Sequence, residues 1–184
     1  MTDATRRLTG SDSVAALRDA VRTVPDFPEP GIQFKDITPL LASPKLLRSA
    51  VNFLVEPFIE SGVTHVIGIE SRGFILGAMM ADELACAFVP VRKAGKLPWK
   101  TVRESYELEY GTDTIEVHAD AFGAGSRILV HDDVIATGGT AAATGRLVRR
   151  LGGTLEGYSF LIELTALSGR AKLNGSTVHA VLTL

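Results

Sequence analysis

Two adjacent carboxylates and a glycine-rich turn are the strongest chemical signal in the sequence. Asp132 and Asp133 follow the apolar run 127–131, and the small-residue segment 136–140 leads from them into a predicted helix. Glycines let backbone N–H groups approach an anion closely, and a helix N-terminus adds free donors and a positive dipole end. The pattern favours a phosphate site formed by Thr137, Gly138, Gly139 and Thr140. Because carboxylates repel phosphate, we expect Asp132 and Asp133 to accept hydrogen bonds from vicinal hydroxyls, as on a ribose.

The same segment has a purely structural alternative, in which the carboxylates cap a helix and the glycines form an ordinary turn. TGGT alone would fit that alternative. The complete string of strand, paired aspartates, ATGGT and helix favours ligand binding, because ligands of open parallel sheets bind beyond the carboxyl ends of strands. The segment is not a Walker A loop, since GxxxxGK[ST] is absent.

A second group of cations could hold another anion. Arg72 lies in the short turn IESRGF, residues 69–74, and a guanidinium binds phosphate oxygens as a fork. Arg92, Lys93 and Lys96 lie close together in a segment whose glycine and proline give the bends expected of a lid. The alternatives are a surface arginine and a solvated basic loop.

The predicted elements that position these residues alternate along the chain. Helices are predicted over 11–24, 43–58 (kinked or shortened at Pro57), 73–84 and 140–151, and strands over 63–70, 88–91, 127–131, 155–164 and 178–182. This order predicts an α/β fold with a mainly parallel central sheet flanked by helices, in a single domain over 1–184. Residues 92–123 are predicted to be a long, polar, loop-like insert, and such inserts are usually functional.

Composition and charge narrow the function classes. The 184 residues are 46% apolar with a formal net charge of −2, so neither nucleic acid nor a membrane is an expected partner. The single cysteine, Cys86, fits a reducing compartment and is expected to be a buried small residue rather than a nucleophile. We find no signal peptide and no run long enough to span a bilayer, and expect a cytoplasmic protein.

The motifs together resemble those of the type I phosphoribosyltransferases. Residues 128–140 resemble the family's motif for phosphoribosyl pyrophosphate (PRPP), and IESRGF resembles its pyrophosphate loop. Three segments resemble the adenine branch, namely FPxPGhxF[RK]DhTPLL at 27–41, VRKxGKLP at 91–98 and YxLEYG at 106–111. The resemblance runs from about Val24 to Val181. It implies the type I phosphoribosyltransferase fold with a small N-terminal hood at about 24–42 and a flexible lid at about 92–123.

The resemblance also implies an activity, the transfer of adenine onto PRPP to give AMP and pyrophosphate in purine salvage, by a homodimer. Mg²⁺ would be held mainly by substrate and water, without dedicated protein ligands. The implied catalytic residues are Arg72 and Glu109, with Glu109 handling a proton at the base. The implied adenine contacts are Gln33, Phe34 and Lys35, with Phe34 stacking on the purine. The implied PRPP contacts are Ser71, Arg72, Arg92, Lys93, Lys96, Tyr110, Asp132, Asp133, Ala136, Thr137, Gly138, Gly139 and Thr140.

Several positions depart from the family pattern. Lys35 replaces the commoner arginine and cannot reproduce a bidentate contact, while Ser71 replaces alanine and His131 replaces an apolar residue. The departure at Lys35 leaves open a phosphoribosyltransferase for another purine base. A PRPP-sensing regulator of the same fold is the other alternative. Such regulators usually carry a DNA-binding domain or a basic RNA surface, neither of which the sequence indicates.

Overall fold

The computed structural model describes residues 11–107, 111–173 and 175–184. The chain divides between Phe53 and Leu54 into two compact units, each of which is described by itself.

The first unit contains a short antiparallel hairpin between helices. Its elements are α1 (Ser11–Asp19), β1 (Arg22–Pro25), β2 (Gln33–Asp36), α2 (Thr38–Leu41) and the first part of α3 (Pro44–Val55). Val24 lies opposite Phe34 in the β1–β2 pair. The predicted helix over 11–24 is therefore wrong beyond Asp19, because residues 22–25 pair with β2 instead of continuing the helical face.

The second unit is built on a seven-stranded sheet. Its helices are α4 (Gly73–Glu83) and α5 (Gly139–Arg150), and α3 ends at Val55 before a 3₁₀ turn over Glu56–Phe58, where Pro57 predicted a break. Its strands are β3 (His65–Ile69), β4 (Ala87–Lys93), β5 (Thr101–Glu107), β6 (Thr112–His118), β7 (Arg127–Ile135), β8 (Thr154–Glu163) and β9 (Val178–Thr183), in the spatial order β5-β6-β4-β3-β7-β8-β9.

The five strands from β4 to β9 in that order run parallel and form the core of this unit. Their central residues are apolar and fully buried, as at Ile67, Val130 and Phe160. Such runs belong to strands covered on both faces. The predicted mainly parallel sheet flanked by helices is confirmed. Within the described part of the chain, no helix has both the length and the apolar character needed to cross a bilayer.

Half of the insert over 92–123 is strand, formed by the end of β4, by β5 and by β6, so its prediction as a loop is wrong over those residues. β5 and β6 pair antiparallel, with Tyr106 opposite Asp113, and β6 joins the sheet by pairing with the end of β4. In β5 only the Tyr106 side chain is buried, so the strand lacks the alternation of apolar residues that would identify it. Ion pairs from Glu104 to Arg146 and Arg150 instead attach this polar strand to α5.

Candidate active site

The carboxyl ends of β3 and β7 place the two predicted anion segments side by side. Gly68 of β3 lies opposite His131 of β7, so the turn after β3 faces the aspartates of β7. Gly73 permits this approach: a Cβ there would lie 3.0 Å from Asp132 Oδ1 and 3.2 Å from the His131 carbonyl oxygen. The peptide bond between Glu70 and Ser71 in this turn is cis.

The paired aspartates have different surroundings. Asp133 is buried and forms an ion pair with Arg72, whose Nε lies 2.8 Å from Asp133 Oδ2. Asp132 accepts a hydrogen bond from the Asp133 N–H at 2.9 Å. Burial, together with the charge of Asp133, holds the pKa of Asp132 well above its usual value. Burial also raises the pKa of Asp133, and the charge of Arg72 opposes that effect. Asp133 is therefore engaged by a cation, and Asp132 has the more strongly raised pKa of the pair.

Residues 136–140, which we call the phosphate loop, follow β7 and lead into α5. Gly138 has a φ of +74° and precedes the first residue of the helix. A Cβ on Gly138 would lie 2.3 Å from the carbonyl oxygen of Gly169, so the loop packs directly against backbone. A cavity of about 90 Å³ is lined by Asp132 and all five loop residues. The predicted phosphate residues thus come together at a helix N-terminus.

A larger cavity of about 280 Å³ adjoins this loop. Among its lining residues, the sequence had predicted Asp132, Thr140, Arg92 and Lys93 to bind PRPP. Asp132 and Thr140 line both cavities, so the two volumes share a boundary. Sequence reasoning gave no role to three other lining residues, Glu70, Tyr106 and Asp113. Glu70 and Tyr106 do lie inside quoted motifs, whereas no pattern marked Asp113.

The cations of the site are paired with these carboxylates. Arg92 Nε lies 3.1 Å from Glu70 Oε2, and Lys96 Nζ contacts the other Glu70 oxygen. Lys93 Nζ lies 3.1 Å from Asp113 Oδ2. Burial would raise the pKa of Glu70, but the hydrogen bonds from Lys96, the Lys93 N–H and Arg92 bring it below its usual value. The site thus holds ionised acids and bases in contact.

Glu116 fixes the turn that carries Lys96. Its fully buried carboxylate accepts from the Lys96 and Leu97 N–H groups at 3.0 Å each, from Arg103 Nε at 3.0 Å and from Thr101 Oγ1 at 3.2 Å. Burial alone would raise the pKa of Glu116, but these hydrogen bonds bring it below its usual value. Residues 92–96, which we call the basic segment, are therefore held by a carboxylate that no sequence motif had marked.

The predicted base residues lie in the first unit. The Phe34 ring is partly buried and packs edge to face on Phe27, with ring centroids 5.1 Å apart. Lys35 Nζ donates to Thr23 Oγ1 at 3.0 Å, and Gln33 is exposed. Their assignment to adenine stays a prediction. Two further predicted residues, Glu109 and Tyr110, lie outside the described residues.

His131, the departure in the paired-aspartate motif, is a core residue. It is fully buried, and its Nδ1 donates to the Ser159 carbonyl oxygen at 2.8 Å. Burial lowers the pKa of His131 to about 4, so the ring is neutral at physiological pH. A neutral ring with one satisfied nitrogen fits the space beside Gly77, where an apolar residue would otherwise lie.

Comparison with known proteins agrees with this geometry. The family model for the phosphoribosyl transferase domain matches residues 35–162. An adenine phosphoribosyltransferase of Gloeobacter violaceus is 58% identical over 157 residues, which cover 85% of this chain and 92% of the relative. The crystal structure of adenine phosphoribosyltransferase from Rhodothermus marinus superposes with a TM-score of 0.93 at 62% identity, over 95% of this chain and 100% of that one.

A more distant structure was solved with two ligands. Adenine phosphoribosyltransferase from Saccharomyces cerevisiae, complexed with an imino-altritol bisphosphate and adenine, superposes with a TM-score of 0.87 at 42% identity, over 92% of this chain and 98% of that one. With a parallel sheet that ends in paired aspartates and a glycine-rich phosphate loop, and with these relatives along nearly its whole length, the chain belongs to the phosphoribosyltransferase family and, within it, to the adenine phosphoribosyltransferases.

Proposed function

We propose that this chain joins adenine to the ribose C1 of PRPP, forming AMP and releasing pyrophosphate, through the residues assembled at the ends of β3 and β7. One observation carries the assignment of the site. Asp132 and Thr140 border both cavities, so a ligand with a phosphate in the loop and a ribose at Asp132 continues into the larger volume, where Arg92 and Lys93 lie. PRPP carries its 5′-phosphate, its ribose and its pyrophosphate in that order.

The 5′-phosphate and the ribose are assigned to the β7 end of the site. The phosphate accepts hydrogen bonds from backbone N–H groups of the phosphate loop. Gly138 has no side chain to block its approach to them. Asp132 and Asp133 accept hydrogen bonds from the 2′- and 3′-hydroxyls. Because Arg72 already holds Asp133, the ribose and the arginine share one carboxylate.

The pyrophosphate is assigned to Ser71, Arg72, Arg92, Lys93 and Lys96, with Tyr110 added by resemblance. The described cations of this group lie next to Glu70, Asp113 or Asp133. As pyrophosphate leaves, negative charge grows on its oxygens while positive charge grows at the ribose C1. Guanidinium and ammonium groups held beside those oxygens stabilise that charge.

The base is assigned to the hood, with Phe34 stacking on the purine and the backbone at Gln33 and Lys35 reading its edge. The exposed Gln33 and the edge-packed Phe34 ring support a surface that a flat ligand can cover. Glu109 handles the proton of the attacking base; this role rests on the motif at 106–111.

Mg²⁺ is proposed as the cofactor, and the site has a suitable donor. Among the residues the structure describes, no three His, Cys, Asp or Glu side chains gather as a metal centre. The carboxyl group of Asp132 nevertheless borders both cavities and offers the hard oxygen that Mg²⁺ prefers. When bound, the ion neutralises pyrophosphate charge, and most of its ligands come from substrate and water.

A homodimer is also proposed, supported by the outer face of α4. Ile75 of this helix is 45% exposed, Ala78 is exposed and Met79 is only partly buried. Neighbouring apolar side chains on this exposed face are compatible with a surface that a partner covers. A second copy of the chain fits the family, and a cytoplasmic location fits the single thiol, Cys86.

The test is AMP formation from adenine, PRPP and Mg²⁺, with hypoxanthine and guanine assayed in parallel. Turnover with adenine alone is the expected result. Turnover with hypoxanthine or guanine at a comparable rate would overturn the base assignment. PRPP binding without turnover on any base would overturn the enzymatic assignment and leave a PRPP-binding protein.

A further inference from the structure

Tyr106 occupies a central position in the site, although sequence reasoning gave it no role. It lies on β5 with 8% of its surface exposed and lines the larger cavity. Its ring faces the phosphate loop: a Cβ on Gly139 would lie 3.2 Å from Tyr106 Cδ2. The ring therefore supports the backbone that is proposed to hold the 5′-phosphate.

The Tyr106 hydroxyl joins two elements that are far apart in sequence. Thr140 Oγ1 donates to it at 3.0 Å, and the hydroxyl donates to Asp113 Oδ2 at 3.3 Å. The same Asp113 oxygen lies 3.1 Å from Lys93 Nζ. One chain of polar contacts thus runs from the phosphate loop through Tyr106 and Asp113 to a cation of the basic segment.

The charge states fix the direction of this chain. Burial raises the pKa of Tyr106, so the phenol is neutral and keeps its proton. Burial would raise the pKa of Asp113, but the Thr114 N–H and Lys93 bring it below its usual value, so the carboxylate only accepts. The phenol proton must therefore point to Asp113, and the Thr140 proton to the phenol oxygen. Exchanging any member for a group without a hydrogen-bonding atom interrupts the series.

We propose that Tyr106 is a positioning residue for PRPP, which aligns the phosphate loop at Thr140 with the pyrophosphate cation Lys93 through Asp113. The proposal rests on the function proposed above. Because the two ends of PRPP occupy the two ends of this chain of contacts, Tyr106 sets the spacing between their binding groups. Its loss affects the substrate that spans both ends and leaves the purine, which touches neither end, largely unaffected.

Tyr106→Phe tests the proposal, because it keeps the ring against Gly139 and removes only the hydroxyl. The KM for PRPP is expected to rise about threefold to tenfold, the range that one net hydrogen bond supplies. The KM for adenine is expected to change by less than about twofold, within the usual scatter of surface effects. Asp113→Ala removes the acceptor of the Tyr106 hydroxyl and the partner of Lys93, so it interrupts the series from its other end and is expected to raise the same constant.

Tyr158→Phe is the matched control. Tyr158 is also a buried tyrosine of this sheet, and its hydroxyl lies over Gly145 of α5, away from the phosphate loop. The KM of the Tyr158→Phe variant for PRPP is expected to equal that of the unaltered protein. Equal shifts in the Tyr106 and Tyr158 variants, or equal shifts in KM for both substrates, would overturn the proposal by reducing Tyr106 to a packing residue.

A double-mutant cycle with Thr140→Val separates coupling from independent losses. If Tyr106 acts through Thr140, Thr140→Val raises the KM for PRPP by a smaller factor in the Tyr106→Phe background than in the unaltered protein. Equal factors in the two backgrounds contradict the proposal. Adenine turnover by the unaltered protein is measured in the same series. If that turnover is absent, the proposed function fails. If it is present and the KM for PRPP of the Tyr106→Phe variant equals that of the unaltered protein, only the role of Tyr106 is rejected.

Discussion

Replacing Gly138 with alanine tests how firmly the phosphate loop is fixed against the backbone behind it. Gly138 has a φ of +74°, and a Cβ added there would lie 2.3 Å from the Gly169 carbonyl oxygen and 2.9 Å from its carbonyl carbon. Both atoms belong to backbone, so no side chain can rotate away. The loop, or the turn that begins at Gly169, must move.

The cost has two parts. An L residue in left-handed backbone is disfavoured by about 1–2 kcal/mol, and forcing extra atoms into a packed site adds about 1–3 kcal/mol. We therefore expect Gly138→Ala to lower the free energy of unfolding by about 2–5 kcal/mol, or the Tm by roughly 5–15 °C for a chain of this length. The displaced loop is also expected to raise the KM for PRPP.

Gly125→Ala is the control that isolates the steric part. Gly125 has a φ of +85°, but no described atom lies within 4 Å of a Cβ built on it. Its variant should lose only the backbone part, about 1–2 kcal/mol, and keep its PRPP kinetics. Thermal unfolding followed by circular dichroism measures both variants. Equal Tm losses for the two would refute the close packing of Gly138 on Gly169 as a source of rigidity.

Two carboxylates, those of Asp132 and Glu116, give further predictions. Asp132→Asn is expected to abolish PRPP-dependent turnover yet raise the Tm near neutral pH, because the folded protein disfavours the ionised side chain. Since the pKa of Asp132 is raised above its unfolded value of about 3.9, the advantage of asparagine should grow as pH rises above about 4 and vanish below it; a Tm loss at every pH would contradict this. Glu116→Gln replaces one buried acceptor oxygen by a donor and should destabilise the protein by about 1–3 kcal/mol while raising the KM for PRPP through Lys96. Glu156→Gln, which loses only a surface pair with Arg127, should cost at most about 1 kcal/mol, and a similar loss in both variants would deny Glu116 its special role.

The sequence predicted the strand, turn and helix at the end of β7 well, because its information there is local. The apolar strand, the paired aspartates and the phosphate loop are consecutive, and each residue type has its own physical use at that place. The parallel sheet followed from the alternation of apolar runs with helical faces. These patterns carry their meaning within about a dozen residues.

The failures of prediction involve contacts between distant residues. Val24 fits a helical face, but its strand pairs with Phe34 ten residues later. β5 has the charged composition that is typical of a loop. Ion pairs from its Glu104 to Arg146 and Arg150 attach it to α5. Asp113 reaches the site only because β6 returns beside β4. Pairing across the fold decides these positions, and no local pattern encodes it.

The internal pairing of the site's cations has a consequence for selectivity among cellular anions. Arg72, Arg92, Lys93 and Lys96 each contact a carboxylate of the same site. A lone inorganic phosphate would separate one such pair and gain little in return, because its new contacts replace existing ones. A ligand that carries several phosphates on one ribose contacts several of these cations at once while losing its translational freedom only once. If PRPP binds here as proposed, these internal carboxylates are expected to favour it over inorganic phosphate.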